Sequence, residues 1–488
     1  MTTAASTSSG ATPDPASSMS DGAPPSELKR SITGRLLFFY VLGDVLGSGI
    51  YVLIGAVAGE VGGAFWLAFL VGVAIATITG TAYAELVTRL PQAAGAALFV
   101  SKAFGNRTLT FLVTVSMLSA SFAASGSLAT GFAHYFDTVW SLPPAILISL
   151  GFVVLLTIVN FIGITESAVA TMIMTFVEVA GLAFILLIGV VHVGRGDADF
   201  ARLTDFSTDG NEIFALVAGV ALAFFAMTGF ENAANVAEEV VEPQRNFPRA
   251  LVGGMVCAGV IYVLVAMAAS LVVDVRQLAA SDAALIEVVE AGVLPLSISV
   301  LSVVFAIIAM IAIGNTTLVA VVTQSRILYG MAREDVVPGV FGVVHRTRRS
   351  PWVALVFSSG VVSTLLLVGW GLSQAGVSLD VVERLATVTV VFTLFIYSLV
   401  IVSTFRLRES APLDADGRSE TYRAPTPLLI LGLVGNLTLL AYVVIDDPGS
   451  LAWVAGLLAL GVALFAIERT VGRQGEHRGP TGLDAASG

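Results

Sequence analysis

The chain of 488 residues is 56% hydrophobic and only 12% charged, with a mean hydropathy of +0.91; a soluble domain carries about twice that share of charge, so the composition is that of a polytopic membrane protein. A net charge of −11 argues against a nucleic-acid surface. The lone Cys257 excludes a disulfide framework or cysteine metal cluster, and His134, His192, His345 and His477 are too scattered to share a metal, so no metal and no cofactor are expected.

Residues 1–34 are rich in Ser, Ala, Pro, Gly and Thr, lack the apolar core of a secretory signal, and read as a disordered tail. Lys29, Arg30 and Arg35 precede the first long apolar run and place that tail in the cytoplasm. A spanning helix needs about 20 apolar residues. Twelve segments qualify: 36–59, 65–88, 109–133, 145–163, 167–193, 213–240, 250–273, 296–329, 353–372, 385–405, 427–445 and 451–467. The lysine and arginine distribution is an independent check on that count. Of the 24 such residues, only Arg195, Arg202, Arg276 and Arg384 fall on the outer side. A missed helix would invert the assignment downstream of it, so twelve spans with both termini cytoplasmic, in the inner (plasma) membrane, is the expected topology. Residues 473–488 form the C-terminal tail.

Segments 1 and 6 are interrupted at similar depth, by Gly43-Asp44-Val45-Leu46-Gly47-Ser48-Gly49-Ile50 and by Phe224-Phe225-Ala226-Met227-Thr228-Gly229-Phe230-Glu231. Paired breaks five helices apart point to an inverted-repeat transporter with its binding site at the breaks. The expected fold is therefore an all-α membrane protein with a 5+5 inverted repeat: a transporter domain over 35–472, repeat one over 35–193, repeat two over 211–405, and helices 11 and 12 over 425–468. An unwound stretch exposes backbone groups that a polar ligand can pair. The N–H groups around Gly47, Ser48, Gly49 and Ile50 begin a half-helix and suit a carboxylate; carbonyls near Phe225, Ala226 and Thr228 suit an ammonium group. The competing structural reading is that the glycines, Gly229 included, only permit close packing.

Several stretches occur in order at matching topological places: Gly47-Ser48-Gly49-Ile50-Tyr51; Tyr83-Ala84-Glu85-Leu86, then Leu90-Pro91 and Ala94-Gly95; Gly229-Phe230-Glu231; Ala237-Glu238-Glu239; Pro243-Gln244-Arg245-Asn246-Phe247-Pro248-Arg249-Ala250; and Ser325-Arg326-Ile327-Leu328-Tyr329, with Met331-Ala332-Arg333, Pro338 and Pro351. In these the sequence resembles the amino acid-polyamine-organocation permeases, which have the leucine-transporter-like fold. The resemblance implies an amino acid substrate, with its α-carboxylate at the first break and its amino group at the second. It makes Phe225 the lid over bound substrate. Met227 stands where a larger aromatic is common in that family, so side-chain selectivity does not carry over. Ser119, Ser121 and Ser125 on helix 3 and Asn315, Thr316 and Thr317 on helix 8 are further candidates for the cavity wall, although such hydroxyls often bond their own backbone.

Charges inside apolar spans must find a partner, reach water or take up a proton. Glu178 lies 12 residues beyond Glu166 of Gly163-Ile164-Thr165-Glu166-Ser167-Ala168, about 18 Å into the membrane at 1.5 Å per residue. Proton-coupled relatives carry a lysine there, so coupling by lysine does not transfer. Asp44 is one turn before the first break, and in the family fold helices 1 and 5 are neighbours. Glu178 and Asp44 together, or Glu178 alone, are therefore the expected proton-coupling site, with a permanently protonated structural Glu178 as the other reading. Glu231 opens the second half of helix 6, where it complements the helix dipole. Glu85, Glu238 and Glu239 fall near cytoplasmic helix ends, close to Arg89, Arg245, Arg249 and Arg326, as inner-gate ion pairs or as solvated interfacial charges. The expected protein is a secondary active transporter of an amino acid or related amine, working by alternating access with protons as partners. Exchange of amino acids or polyamines, and nutrient sensing on the same fold, are the alternatives. No enzyme motif is present.

Overall fold

A computed structural model describes residues 32–476 of the protein, except 48, 92–94, 142, 163–167, 207–210, 334–336, 347, 349, 378 and 411–420. The chain is almost wholly helical. Span 1 is two helices, α1 (Gly34–Leu46) and α2 (Gly49–Val61), which meet at a bend of 40°. Span 2 is α3 (Trp66–Arg89), followed by the short α4 (Gly95–Phe104). Spans 3 to 5 are α5 (Arg107–Val139), α6 (Ala145–Ile162) and α7 (Ala168–Gly194). Span 6 begins as α8 (Glu212–Phe225), breaks, and resumes as a 3-10 helix over Phe230–Glu239. Span 7 is α9 (Pro243–Val272), with Pro243 at its first position, where no N–H partner is needed. Two short helices, α10 (Val275–Ala280) and α11 (Ala284–Glu290), lead to span 8, α12 (Ile298–Arg333). Then come α13 (Trp352–Gln374), α14 (Val381–Ser410), α15 (Thr426–Asp446) and α16 (Pro448–Glu476). Eleven spans among the described residues are long and apolar enough to cross a bilayer, and the bent pair α1–α2 makes the twelfth.

Apolar side chains decide what lies inside and what meets lipid. The halves of spans 1 and 6 pack against α3, α5, α7, α9 and α14, and α14 is mostly buried. By contrast α6, α15 and α16 turn most of their residues outward, with Leu147, Leu155, Ile430, Leu431 and Val462 exposed. In water such a surface would aggregate; against acyl chains it carries no cost. Three elements go beyond the expected twelve spans: α4, α10 and α11 are only six to ten residues long, too short to be told from loops by their hydropathy.

The residue pair that leads into α1 is tied to the end of span 6. Ile32 donates its N–H to the Glu239 carbonyl (2.9 Å) and accepts from Val241 N–H (2.9 Å), a one-residue parallel bridge. Thr33 then caps α1 by accepting from Leu36 N–H. The first half of span 1 and the second half of span 6 are thus joined by backbone as well as by packing.

Candidate functional site

The two breaks touch. A Cβ on Gly49 would lie 2.3 Å from Cα of Ala226, so only glycine lets span 1 approach the turn of span 6 this closely. Gly229, at φ 116°, is in a conformation that L side chains rarely adopt, and it packs on the Asp44 backbone. Tyr262 of α9, fully buried, donates its hydroxyl to Val45 O, with Ala226 O a second acceptor at 3.3 Å. One hydroxyl therefore serves a carbonyl from each break.

Beside this contact lies a cavity of about 100 Å³, several times the space one water needs. Gly49, Phe225, Ala226, Thr228 and Gly229 line it; Gly47, Ile50 and Met227 do not, and Ser48 lies outside the described residues. Met227 is fully buried in packing instead, and Gly47 faces Thr316, whose hydroxyl would be 2.0 Å from an added Cβ. Of the helix 3 and helix 8 hydroxyls, Ser121 and Thr316 reach the wall. Ser125 accepts from Gln324 (2.8 Å), and Thr317 bonds the Ile313 carbonyl in its own helix.

The acceptors in the cavity are not those read from the breaks alone. Phe225 O already takes the Thr228 N–H (3.1 Å) and hydroxyl (2.8 Å), and Ala226 O takes Tyr262. Carboxylates supply what these carbonyls do not. Asp44 accepts from Asn232 Nδ2 (3.0 Å), and Glu231 Oε2 accepts from Gly229 N–H (2.8 Å) and from the Tyr397 hydroxyl (2.6 Å). Both acids line the cavity, and among the described residues no lysine, arginine or histidine does. Tyr397 and Asn232 join the wall without having been marked by the sequence, and Tyr83, part of a matched stretch, joins it without having been read as a site residue; among the described residues the buried Tyr83 Oη has no hydrogen-bond partner. Their positions in apolar spans were visible, but which face of α3 or α14 turns inward depends on neighbours that no local motif encodes.

Glu178 lies off the cavity. Its Oε1 accepts from Asn315 Nδ2 (3.0 Å) and its backbone carbonyl from the Tyr51 hydroxyl (3.0 Å). Asp44 and Glu178 thus each hold an asparagine, Asn232 and Asn315, rather than each other. The glutamates assigned to the gate diverge as well. Glu85 is fully enclosed and binds Arg408 through Nε (2.8 Å) and Nη2, Arg89 at 2.9 Å, and the Ala424 N–H at 2.9 Å. The sequence reading passed over Arg408, which is 323 residues away. Glu238 and Glu239 sit half-buried at the C-terminal end of the 3-10 helix, and Arg326 is exposed on α12.

This architecture is that of known transporters. A solved structure of a manganese transporter from Eremococcus coleocola superposes with a TM-score of 0.61 over 92% of this chain and 99% of the other, at 12% identity, a likeness of fold alone. Among sequence relatives, the chloroplastic cationic amino acid transporter 9 of Arabidopsis thaliana is 28% identical over 65% of this chain, a match that spans only 58% of that relative's length. The branched-chain amino acid permease BcaP of Bacillus subtilis is 24% identical over 79% of this chain and 82% of its own. These relatives are transporters and not enzymes. From residue 34 to residue 465, through both breaks and the cavity between them, the sequence matches the amino acid permease family, and the chain belongs to it.

Proposed function

We propose that this permease carries an amino acid or a closely related amine across the plasma membrane by alternating access, coupled to protons, with both chain ends in the cytoplasm. The observation that carries the substrate reading is the cavity wall, where Asp44 and Glu231 stand at the meeting of the two breaks with no basic side chain to neutralise them. In a low-dielectric site an ammonium group is the natural partner of such oxygens. The N–H of Gly49, at the start of α2 and on the cavity wall, has no acceptor within the helix and supplies the complementary pole for a carboxylate. Phe225, at the end of α8 on the cavity wall, is positioned to cover the ligand. Glu85 with Arg408, together with Glu238, Glu239 and Arg326, would hold the cytoplasmic end closed while the site faces outward. Glu178 and Asp44 are the acids assigned to the coupling proton.

A thermal-shift panel of the purified protein against all amino acids and common polyamines tests this. A ligand at about 100 times its dissociation constant adds about 2.7 kcal/mol of stability, so at least one amine-bearing compound should raise the melting temperature. Uptake of that compound, labelled, into proteoliposomes should then saturate and rise with an inward proton gradient. A panel without a hit, or binding without accumulation, counts against transport. Uptake that needs an internal amino acid and ignores the gradient identifies an exchanger.

A further inference from the structure

The pairing of Glu178 with Asn315 is incomplete in one specific way. The amide donates from Nδ2 to Oε1 of the glutamate, yet Oε2 of Glu178 and Oδ1 of Asn315, both buried, accept nothing. An ionised carboxylate is acceptor-only, and an amide oxygen is acceptor-only as well. Two orphaned acceptors on one hydrogen-bonded pair lack a single thing, a proton between them. A carboxylic acid and a primary amide form a two-point ring: amide N–H to acid C=O, and acid O–H to amide C=O. One of the two bonds is in place here, and the two orphaned oxygens are the atoms that the other would use. Exchanging the amide's O and N would instead put two acceptor oxygens 3.0 Å apart.

We propose that Glu178 and Asn315 form a two-point acid–amide pair, in which Oε2 of Glu178 holds a proton aimed at Oδ1 of Asn315, and that this is the proton moved in transport. The first half stands on the pair's own geometry; the second rests on the transport reading above. The titratable groups that act on Glu178 are Asp44 on α1, Tyr51 on α2 and Tyr262 on α9, none of which supplies positive charge. The pair also has a route to the ligand. Thr316, the next residue after Asn315, lies on the cavity wall against Gly47, and Tyr51, which grips the Glu178 backbone, belongs to the second half of the broken span. Release of the proton leaves two acceptor oxygens facing each other, so the amide of α12 must turn away. The charge state of α7 is thereby linked to the wall of the site. Asn315 acts here as a positioning residue for the proton.

Infrared spectroscopy of the purified full-length protein in H₂O and D₂O reads the proton directly. At neutral pH the wild type should show a hydrogen-bonded carboxylic acid C=O band that shifts in D₂O. Glu178→Gln should remove it, and Asn315→Leu should move it to higher frequency. If Asn315→Leu does not fold, Asn315→Ser, which cannot close the ring, is read in the same way. A band that survives Glu178→Gln, or ignores both Asn315 variants, overturns the pair. So does a band converted to carboxylate by sodium chloride but not by choline chloride, since the orphaned oxygens would then serve a metal cation. In proteoliposomes loaded with the best compound from the panel, Glu178→Gln should keep counterflow and lose accumulation driven by a pH gradient. Unchanged accumulation overturns the coupling role. No counterflow by the wild type overturns the transport reading instead, and the infrared result still decides the pair.

Discussion

Glu85 on α3 and Glu178 on α7 are both fully enclosed glutamates on spanning helices, and their surroundings are opposites. Glu85 has two guanidiniums and a backbone N–H: Arg408 meets it through two nitrogens, Arg89 through one, and Ala424 N–H closes the shell. Arg408 goes on to Thr426 Oγ1 (2.8 Å) and the Ala424 carbonyl (2.5 Å), while Arg89 reaches the Leu407 carbonyl (3.1 Å). The cluster fastens span 2 to span 10 and to the start of span 11. Glu178 has one amide and an oxygen with no partner. A buried charge is tolerated where it is paired and hydrogen-bonded throughout; an acid left half-satisfied belongs where protonation changes during work. The first glutamate ties helices together, and the second is the one proposed above to change its protonation.

The largest test of that contrast removes a guanidinium. Arg408→Met leaves Glu85 charged, buried and short of its bidentate partner, a situation that costs about 3–5 kcal/mol. A marked fall in melting temperature is expected, and Glu85→Met/Arg408→Met should regain most of it, because an apolar pair of similar volume is often neutral. A double variant no more stable than the single would mean that the cluster does more than pair charges.

Neither partnership was legible from the sequence, although both acids were. Twelve apolar stretches with lysines and arginines concentrated on one side determined the spans, because bilayer thickness imposes a length that side chains cannot evade. The breaks were legible for a similar reason: three glycines in seven residues inside span 1, and Gly229 inside span 6, are rare unless backbone is to be exposed. What faces what is a different matter. Asp44 and Asn232 lie 188 residues apart and Glu178 and Asn315 lie 137 apart, so their pairing arises only from how α1 meets span 6 and α7 meets α12. Met227 shows the same limit within a motif. It sits between two cavity residues, Ala226 and Thr228, yet the turn directs it into packing.

A smaller effect separates the two acids by the same substitution. Glu178→Gln keeps volume and gives Asn315 Oδ1 a donor, so it should change stability by less than about 1.5 kcal/mol, the usual bound for volume-conserving swaps. Glu85→Gln strips two guanidiniums of their counter-charge and should cost well more in the same thermal melt. Equal losses would erase the distinction between the two glutamates.

The smallest effect belongs to a third acid, in the turn between two spans, where water weakens every term. Asp447, between α15 and α16, binds Arg384 Nη1 and Ser450, with its side chain 28% exposed. Partial burial pushes its carboxyl up, but the hydrogen bonds from Ser450 and Arg384 and the guanidinium's charge outweigh that and hold it below the ordinary value. A carboxylate with a depressed folded value stabilises the fold at pH above its unfolded value, about 3.9, and loses that contribution as pH falls through the folded one. Asp447→Asn should therefore melt slightly below the wild type at neutral pH, and the gap should close as the pH is lowered past that range. Solvent and salt screen the pair, so the difference should also shrink in high salt, as a buried cluster such as that of Glu85 would not. A gap that widens on acidification would show that Asp447 acts through its protonated form, and would place it beside Glu178 rather than Glu85.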